Sequence, residues 1–160
     1  MFQFRVRGAY RWIHDTLTSG ALGKLRRITW ICTGWYRSQA YYNSGTWRGT
    51  WAGEGGGVLL NQMPHNLDIL TWLTGSPAKV MAKVYLGKDH KIEVEDEINA
   101  VLTYPNGATG ILVATTGDYP GTDWMEIVCD QGTIRLQNKE LTALKLNAPL
   151  SELTPGLPDM

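Results

Sequence analysis

The sequence predicts an α+β fold: one open, largely antiparallel (mixed) sheet, with helices packed on one face and the other face available for oligomerisation. Three observations carry this. Helical spacing of apolar residues is confined to the first half of the chain. Everything after Pro77 reads as strand. The later strand-like runs are separated by tight-turn tripeptides, Pro105-Asn106-Gly107 and Asp130-Gln131-Gly132. Asn-Gly at the tip of the first is a hairpin signal.

The elements follow in order. Tyr10 to Thr18 is predicted helical, with Trp12, Ile13 and Leu17 at helical spacing, and Ser19-Gly20 ends it. Leu25 to Thr33 reads as a strand. A long irregular stretch, Gly34 to Gly57, comes next, and loops of that length in a compact domain are usually functional. Leu59 to Leu73 is a second helix, ended by Thr74-Gly75-Ser76-Pro77. Pro64 within it either marks the start of the regular helix or kinks it. Lys79 to Leu86 alternates, with Val80, Ala82 and Val84 on one side. Glu95–Tyr104, Ala108–Thr116, Trp124–Cys129, Thr133–Leu136 and Leu141–Leu146 complete the strands. Ile98-Ala100-Leu102 and Ile111-Val113 are apolar enough to make the uncovered face an oligomer interface. The tail from Asn147 to Met160 holds three prolines and is expected to pack loosely. With no repeat and no linker, residues 1–160 read as a single domain.

Composition narrows the function classes. Hydrophobic residues make up 43% and charged residues 19%, as in a globular protein with a real core. No apolar run reaches the ~20 residues of a membrane span, and the N-terminus lacks the apolar segment of a signal peptide. Cys32 and Cys129 sit in strand-like apolar contexts and read as buried free thiols of a reducing, cytoplasmic compartment, with a disulfide as the alternative. His14, His65 and His90 have no metal-ligand spacing. Eight of the basic residues fall in positions 1–50 against one acid, Asp15. They are dispersed, which favours solvated or partner-facing surfaces over a nucleic-acid surface. Glu93, Glu95, Asp96 and Glu97 read as a solvated strand edge, because successive strand residues point to opposite faces.

Two regions carry candidate chemistry. Trp35, Arg37, Tyr41, Tyr42, Trp47 and Trp51 crowd the irregular stretch. Aromatic faces stack on sugar C–H surfaces and arginine donates to hydroxyls, so Trp35, Arg37, Tyr42 and Trp51 are the candidate substrate-binding residues; subunit or domain packing is the other reading. Second, a glycine run, Gly53 to Gly57, empties into an apolar segment carrying His65, with Asn61 four residues before it and Asp68 three after. On one helix these three would lie on adjoining parts of one face. His65 is either an acid/base or a helix histidine satisfied by a backbone carbonyl, Asn61 either a group that orients His65 or a substrate hydroxyl or a helix N-cap, and Asp68 a structural polar group. The glycines permit either close approach of a ligand or a simple chain reversal.

The segment Glu54-Gly55-Gly56-Gly57-Val58-Leu59-Leu60-Asn61-Gln62-Met63-Pro64-His65-Asn66-Leu67-Asp68 resembles the signature of the C-terminal domain of the Gfo/Idh/MocA oxidoreductases, the glucose-fructose oxidoreductase and inositol dehydrogenase group. Gly20-Ala21-Leu22-Gly23-Lys24-Leu25-Arg26-Arg27-Ile28, Leu70-Thr71-Trp72-Leu73-Thr74-Gly75-Ser76-Pro77, Asp96-Glu97-Ile98-Asn99-Ala100 and Tyr104-Pro105-Asn106-Gly107-Ala108 resemble its flanking elements. The resemblance implies an oxidoreductase that moves hydride between a sugar or polyol carbon and NAD or NADP, without a metal. It implies an N-terminal Rossmann domain that binds the nucleotide, and a C-terminal domain that contacts substrate and forms a homodimer or homotetramer. It also implies that His65 acts as acid/base. The chain has no Gly-x-Gly-x-x-Gly after an initial strand and no Glu-Lys-Pro, so it reads as the C-terminal part alone, inactive by itself. Asn61 stands where many relatives have Asp; an amide can orient an imidazole but supplies no charge. The alternative is a non-catalytic ligand-binding or assembly module of the same fold.

Overall fold

In the computed structural model, residues 3–153 are described, and they form the expected α+β layers. A 3₁₀ turn, Gln3–Val6, leads into helix α1, Gly8–Thr18. Strand β1 is Leu25–Cys32. A short helix α2, Gln39–Asn43, interrupts the stretch expected to be irregular, and the Ser38 side chain caps it by accepting the Tyr41 N–H. A π-helical turn, Val58–Gln62, precedes helix α3, Pro64–Thr74. Strands β2 (Lys79–Leu86), β3 (Glu95–Thr103), β4 (Thr109–Thr115), β5 (Asp123–Cys129), β6 (Gly132–Gln137) and β7 (Glu140–Lys145) follow. Leu150–Leu153 forms one further turn, α4, whose Leu150 N–H donates to the Asp130 carbonyl. The rest of the prolyl tail, from 154 onward, lies outside the described residues.

The seven strands make one sheet in the order β2-β3-β4-β1-β5-β6-β7. Every neighbouring pair is antiparallel except β1 with β4, which run parallel with Trp30 opposite Leu112. The core lies between the sheet and helices α1 and α3. Ile28, Trp30 and Cys32 of β1, Ile98, Ala100 and Leu102 of β3, and Met125 and Ile127 of β5 meet Tyr10 and Ile13 of α1 and Ile69, Leu70 and Leu73 of α3. Both cysteines are free and buried, and burial pushes both thiols up, Cys129 to about 11, so neither is a ready nucleophile.

Two expectations need correcting here. Ile98, Ala100 and Leu102 face the helices and not the open side. Side chains alternate along a strand, so the open face of β3 and β4 is presented instead by Val101 and Ile111, which stand directly opposite each other and are about half exposed. Strand β2 is exposed on both faces apart from Tyr85, because it lies at the sheet edge beyond the cover of α1 and α3. Within the acidic run Glu93 is exposed as expected, but Glu95 and Asp96 are not solvated, being 6% and 0% exposed.

On the open face the central strands carry an ionic rung. Glu126 accepts from Arg27 Nη2 at 2.7 Å and from Arg135 Nε at 2.8 Å. The Arg135 hydrogen bond, then that from Arg27, holds the Glu126 carboxyl below the usual carboxylate range, against the opposing effect of burial. A lowered folded value stabilises the protein above the unfolded carboxylate range, and the benefit is lost as pH falls through the folded value. Below about pH 4.3 the native chain should therefore lose stability more steeply than Glu126→Gln. Denaturant midpoints measured across that range check this, and parallel curves for the two chains would refute it.

Candidate functional site

The glycine run leads from the loop into the π turn, and one glycine there is forced. A Cβ on Gly57 would overlap the backbone of Glu95, so β3 and the turn approach at contact distance. Glu95 Oε1 accepts the Leu59 N–H at 3.1 Å, which tethers the first part of the turn. The Met63 N–H bonds the Val58 carbonyl at 2.9 Å, the five-residue closure of a π turn. Pro64 then starts α3 at its first position, where its missing N–H costs nothing. The segment expected as one helix from Leu59 is thus two elements, and His65 is the second residue of the regular helix.

That division separates the three candidates. Asn61 is exposed on the π turn; its amide nitrogen donates to Glu54 and its oxygen accepts from Gln62. Asp68 is buried and accepts two bonds from Arg5, Nε at 2.8 Å and Nη2 at 2.5 Å. His65 is half-buried, its Nδ1 enclosed, with its ring 5.0 Å from that of Phe4. The Arg5–Asp68 pair thus fastens the Gln3–Val6 turn to α3 and holds Phe4 against His65. Phe4 in turn lies 6.2 Å from Tyr10 and carries the Arg7 guanidinium over its face at 3.7 Å.

Arg37 joins the aromatic stretch to this site. Arg37 Nη2 donates to Gln62 Oε1 at 2.8 Å, which joins the loop to the residue beside Asn61. Arg37 also lies over the Tyr41 ring, and Arg48 donates to the Tyr41 hydroxyl at 2.7 Å. Tyr42 shares a 2.9 Å hydrogen bond with Thr116 Oγ1, and burial pushes its phenol up despite that bond. Trp35 packs against the core. Trp51 is 51% exposed, with its backbone N–H on Glu93. Arg37 is therefore drawn to the π turn, Tyr42 is tied to the end of β4, and Trp35 and Trp51 diverge inward and outward.

Sequence reasoning missed Glu54, Gln62 and the pair His90–Asp96. Asp96 accepts the backbone N–H groups of Lys88, Asp89 and His90 at 2.8–3.1 Å and also contacts His90 Nδ1 at 3.1 Å. The available signal was the break in β alternation after Leu86, where Gly87 to His90 must turn around a buried acceptor. A hollow of about 440 Å³ is lined by Arg7, Tyr10, Asp123, Leu136, Asn138 and Lys139, none of which belongs to the π turn or to α3.

Among the described residues no three His, Cys, Asp or Glu side chains gather to hold a metal, and no helix is long and apolar enough to cross a membrane. The glycine run does not form a Rossmann pyrophosphate cradle. The glycine run is entered from a loop, whereas a pyrophosphate cradle needs a strand before it and a helix N-terminus after it.

The GFO/IDH/MocA C-terminal domain family matches residues 10–135. The chain belongs to that family. No curated protein matches it in sequence. Among solved structures, this GFO/IDH/MocA domain is similar to the WlbA dehydrogenase from Bordetella pertussis in complex with NADH and UDP-GlcNAcA. That likeness has 28% identity and a TM-score of 0.84, over 97% of this chain and 49% of that one. The WlbA dehydrogenase from Chromobacterium violaceum, in a complex of the same composition, matches at 26% identity and TM-score 0.84, over 98% and 46% of the two chains. A levoglucosan dehydrogenase in complex with NADH, at 21% identity and TM-score 0.75 over 94% and 43%, shares the fold. The chain spans about half the length of the solved structures it matches.

Proposed function

We propose that this GFO/IDH/MocA domain is the substrate-contacting and oligomer-forming part of an NAD(P)-dependent oxidoreductase acting on a sugar, polyol or related small molecule. The observation that carries the reading is the Arg37–Gln62 hydrogen bond, which gathers the aromatic loop against the turn that delivers His65. NAD or NADP, held by a Rossmann domain, supplies the hydride chemistry. This chain supplies positioning and proton transfer. With Nδ1 enclosed, His65 exchanges its proton with a substrate hydroxyl through Nε2. Asn61 orients the substrate or the imidazole, and Glu54, bonded to the Asn61 amide, fixes that amide and places a carboxylate beside it. Trp35, Arg37, Tyr42 and Trp51 are the candidates for sugar contact. Val101 and Ile111 on the open sheet face, continued by Met81 of β2, form the surface through which copies of the chain associate.

The similarity to WlbA guides the substrate panel. Full-length protein is assayed with NAD⁺ or NADP⁺ against UDP-linked sugar acids, free sugars and polyols, while the 160-residue chain alone is assayed for nucleotide affinity. Reduction of either nucleotide by at least one substrate supports the reading. Silence across the panel favours the second reading, a non-catalytic binding or assembly module, for which the amide at Asn61 speaks. Tight NAD(P) binding by the isolated chain would contradict the assignment of the cofactor to another domain.

A further inference from the structure

His90 sits where three elements meet. It is 7% exposed. Its Nδ1 is 3.1 Å from Asp96 Oδ2 on β3, its Nε2 is 2.7 Å from the Arg37 carbonyl in the loop, and the Tyr42 ring of α2 lies 4.8 Å away. Both oxygens that face the imidazole are acceptors. A backbone carbonyl carries no proton. Asp96 Oδ2 already accepts the Asp89 and His90 N–H groups and Oδ1 that of Lys88, the surroundings of an ionised carboxylate. A neutral imidazole has one N–H and one lone pair. In either neutral tautomer a ring lone pair would therefore face an oxygen lone pair inside the protein. Only the ring protonated on both nitrogens completes both bonds.

The other charged and titratable groups nearby are accounted for. The Arg37 guanidinium is turned to Gln62, and Lys88 is paired with Glu97. The Tyr42 hydroxyl is bound to Thr116, while Asp89 and Lys91 flank His90 along the chain and are exposed. Asp96 is thus the anion against the ring, and the Arg37 carbonyl is what the ring holds.

We propose that His90 is a positioning residue that works as a proton-dependent latch. With both ring nitrogens protonated it ties the Arg37–Tyr42 segment to β3 through Asp96, and loss of either proton breaks one of the two bonds and loosens that segment. A consequence for sugar affinity rests on the reading of Arg37 and Tyr42 as substrate contacts; the latch itself stands on the contacts of His90.

The test uses the 160-residue chain with ¹⁵N-labelled histidine and needs neither cofactor nor sugar, so its failure leaves the proposed function untouched. Long-range ¹H–¹⁵N spectra report which ring nitrogens carry protons. Hydrogen exchange of the Arg37 amide, which donates to the Thr116 carbonyl at 2.9 Å, reports the loop. Wherever that amide is protected, both His90 nitrogens should be protonated. When one proton is lost as pH rises, Arg37 exchange should accelerate at least tenfold beyond its intrinsic base catalysis. In His90→Gln, which does not titrate, the protection factor should be lower and independent of pH. If that variant does not fold, the native titration decides alone. A singly protonated ring beside a protected Arg37 amide, or protection that does not change as His90 titrates, overturns the latch.

Discussion

Replacing His65 by alanine, in the chain joined to the cofactor-binding domain proposed above, is expected to lower turnover by about 10²–10⁴-fold, the usual contribution of a positioned acid/base group. The loss should fall on kcat more than on KM, because proton transfer is an interaction of the transition state. The imidazole is held for this by its surroundings. It stands at the second position of α3, backed by Phe4, with the Arg5–Asp68 pair locking the two segments together. The substitution leaves that pair intact, so the variant should fold and its thermal transition should move little. Steady-state rates with the substrate identified for the full-length protein decide the matter. A fall of less than about tenfold would remove His65 from the chemistry and favour a binding role.

The largest expected effect on stability is at Asp96, a residue that the sequence alone places on a solvated strand edge. Asp96→Ala strips the acceptor from three backbone N–H groups and from His90, all at a carboxylate that is 0% exposed. Removing one partner of a buried pair costs about 3–5 kcal/mol, because what remains is buried and uncompensated. Against a typical domain stability of about 5–15 kcal/mol this is a large share. With a urea m value of about 1–3 kcal/mol/M, the unfolding midpoint should fall by about 1 M or more. Asp96→Asn keeps one acceptor oxygen and should lose less. A midpoint within a few tenths molar of the native value for Asp96→Ala would show that the turn at Lys88–His90 does not depend on the carboxylate.

Much of the fold was legible because its signals are local. Alternation marks strands and helical spacing marks α1 and α3. Asn106-Gly107 closes the β3–β4 hairpin where expected, and Pro64 falls at the first position of α3. What was not legible is pairing at long range. Nothing local in Leu25–Cys32 says that this strand lies between β4 and β5, parallel to one and antiparallel to the other. The acidic run failed for a related reason. Four carboxylates read as solvated until the Lys88–His90 backbone is folded over one of them. In the candidate site, His65 and Arg37 stood out by residue type and context. Glu54 and Gln62 matter only through whom they touch, Asn61 and Arg37 respectively, and such partnerships are written in the tertiary fold.

The position of β1 also sets an order of events during synthesis. Of the seven strands of this sheet it is the first to be made, yet both of its neighbours come later: Trp30 waits for Leu112, about 80 residues on, and for Met125 beyond that. Until then an apolar strand with two unsatisfied edges is exposed to other nascent chains. The β3–β4 hairpin can form early from local contacts, but the sheet cannot close over its own centre until β5 has emerged. Truncations that end before Cys129 should therefore yield aggregating chains, whatever their helices do.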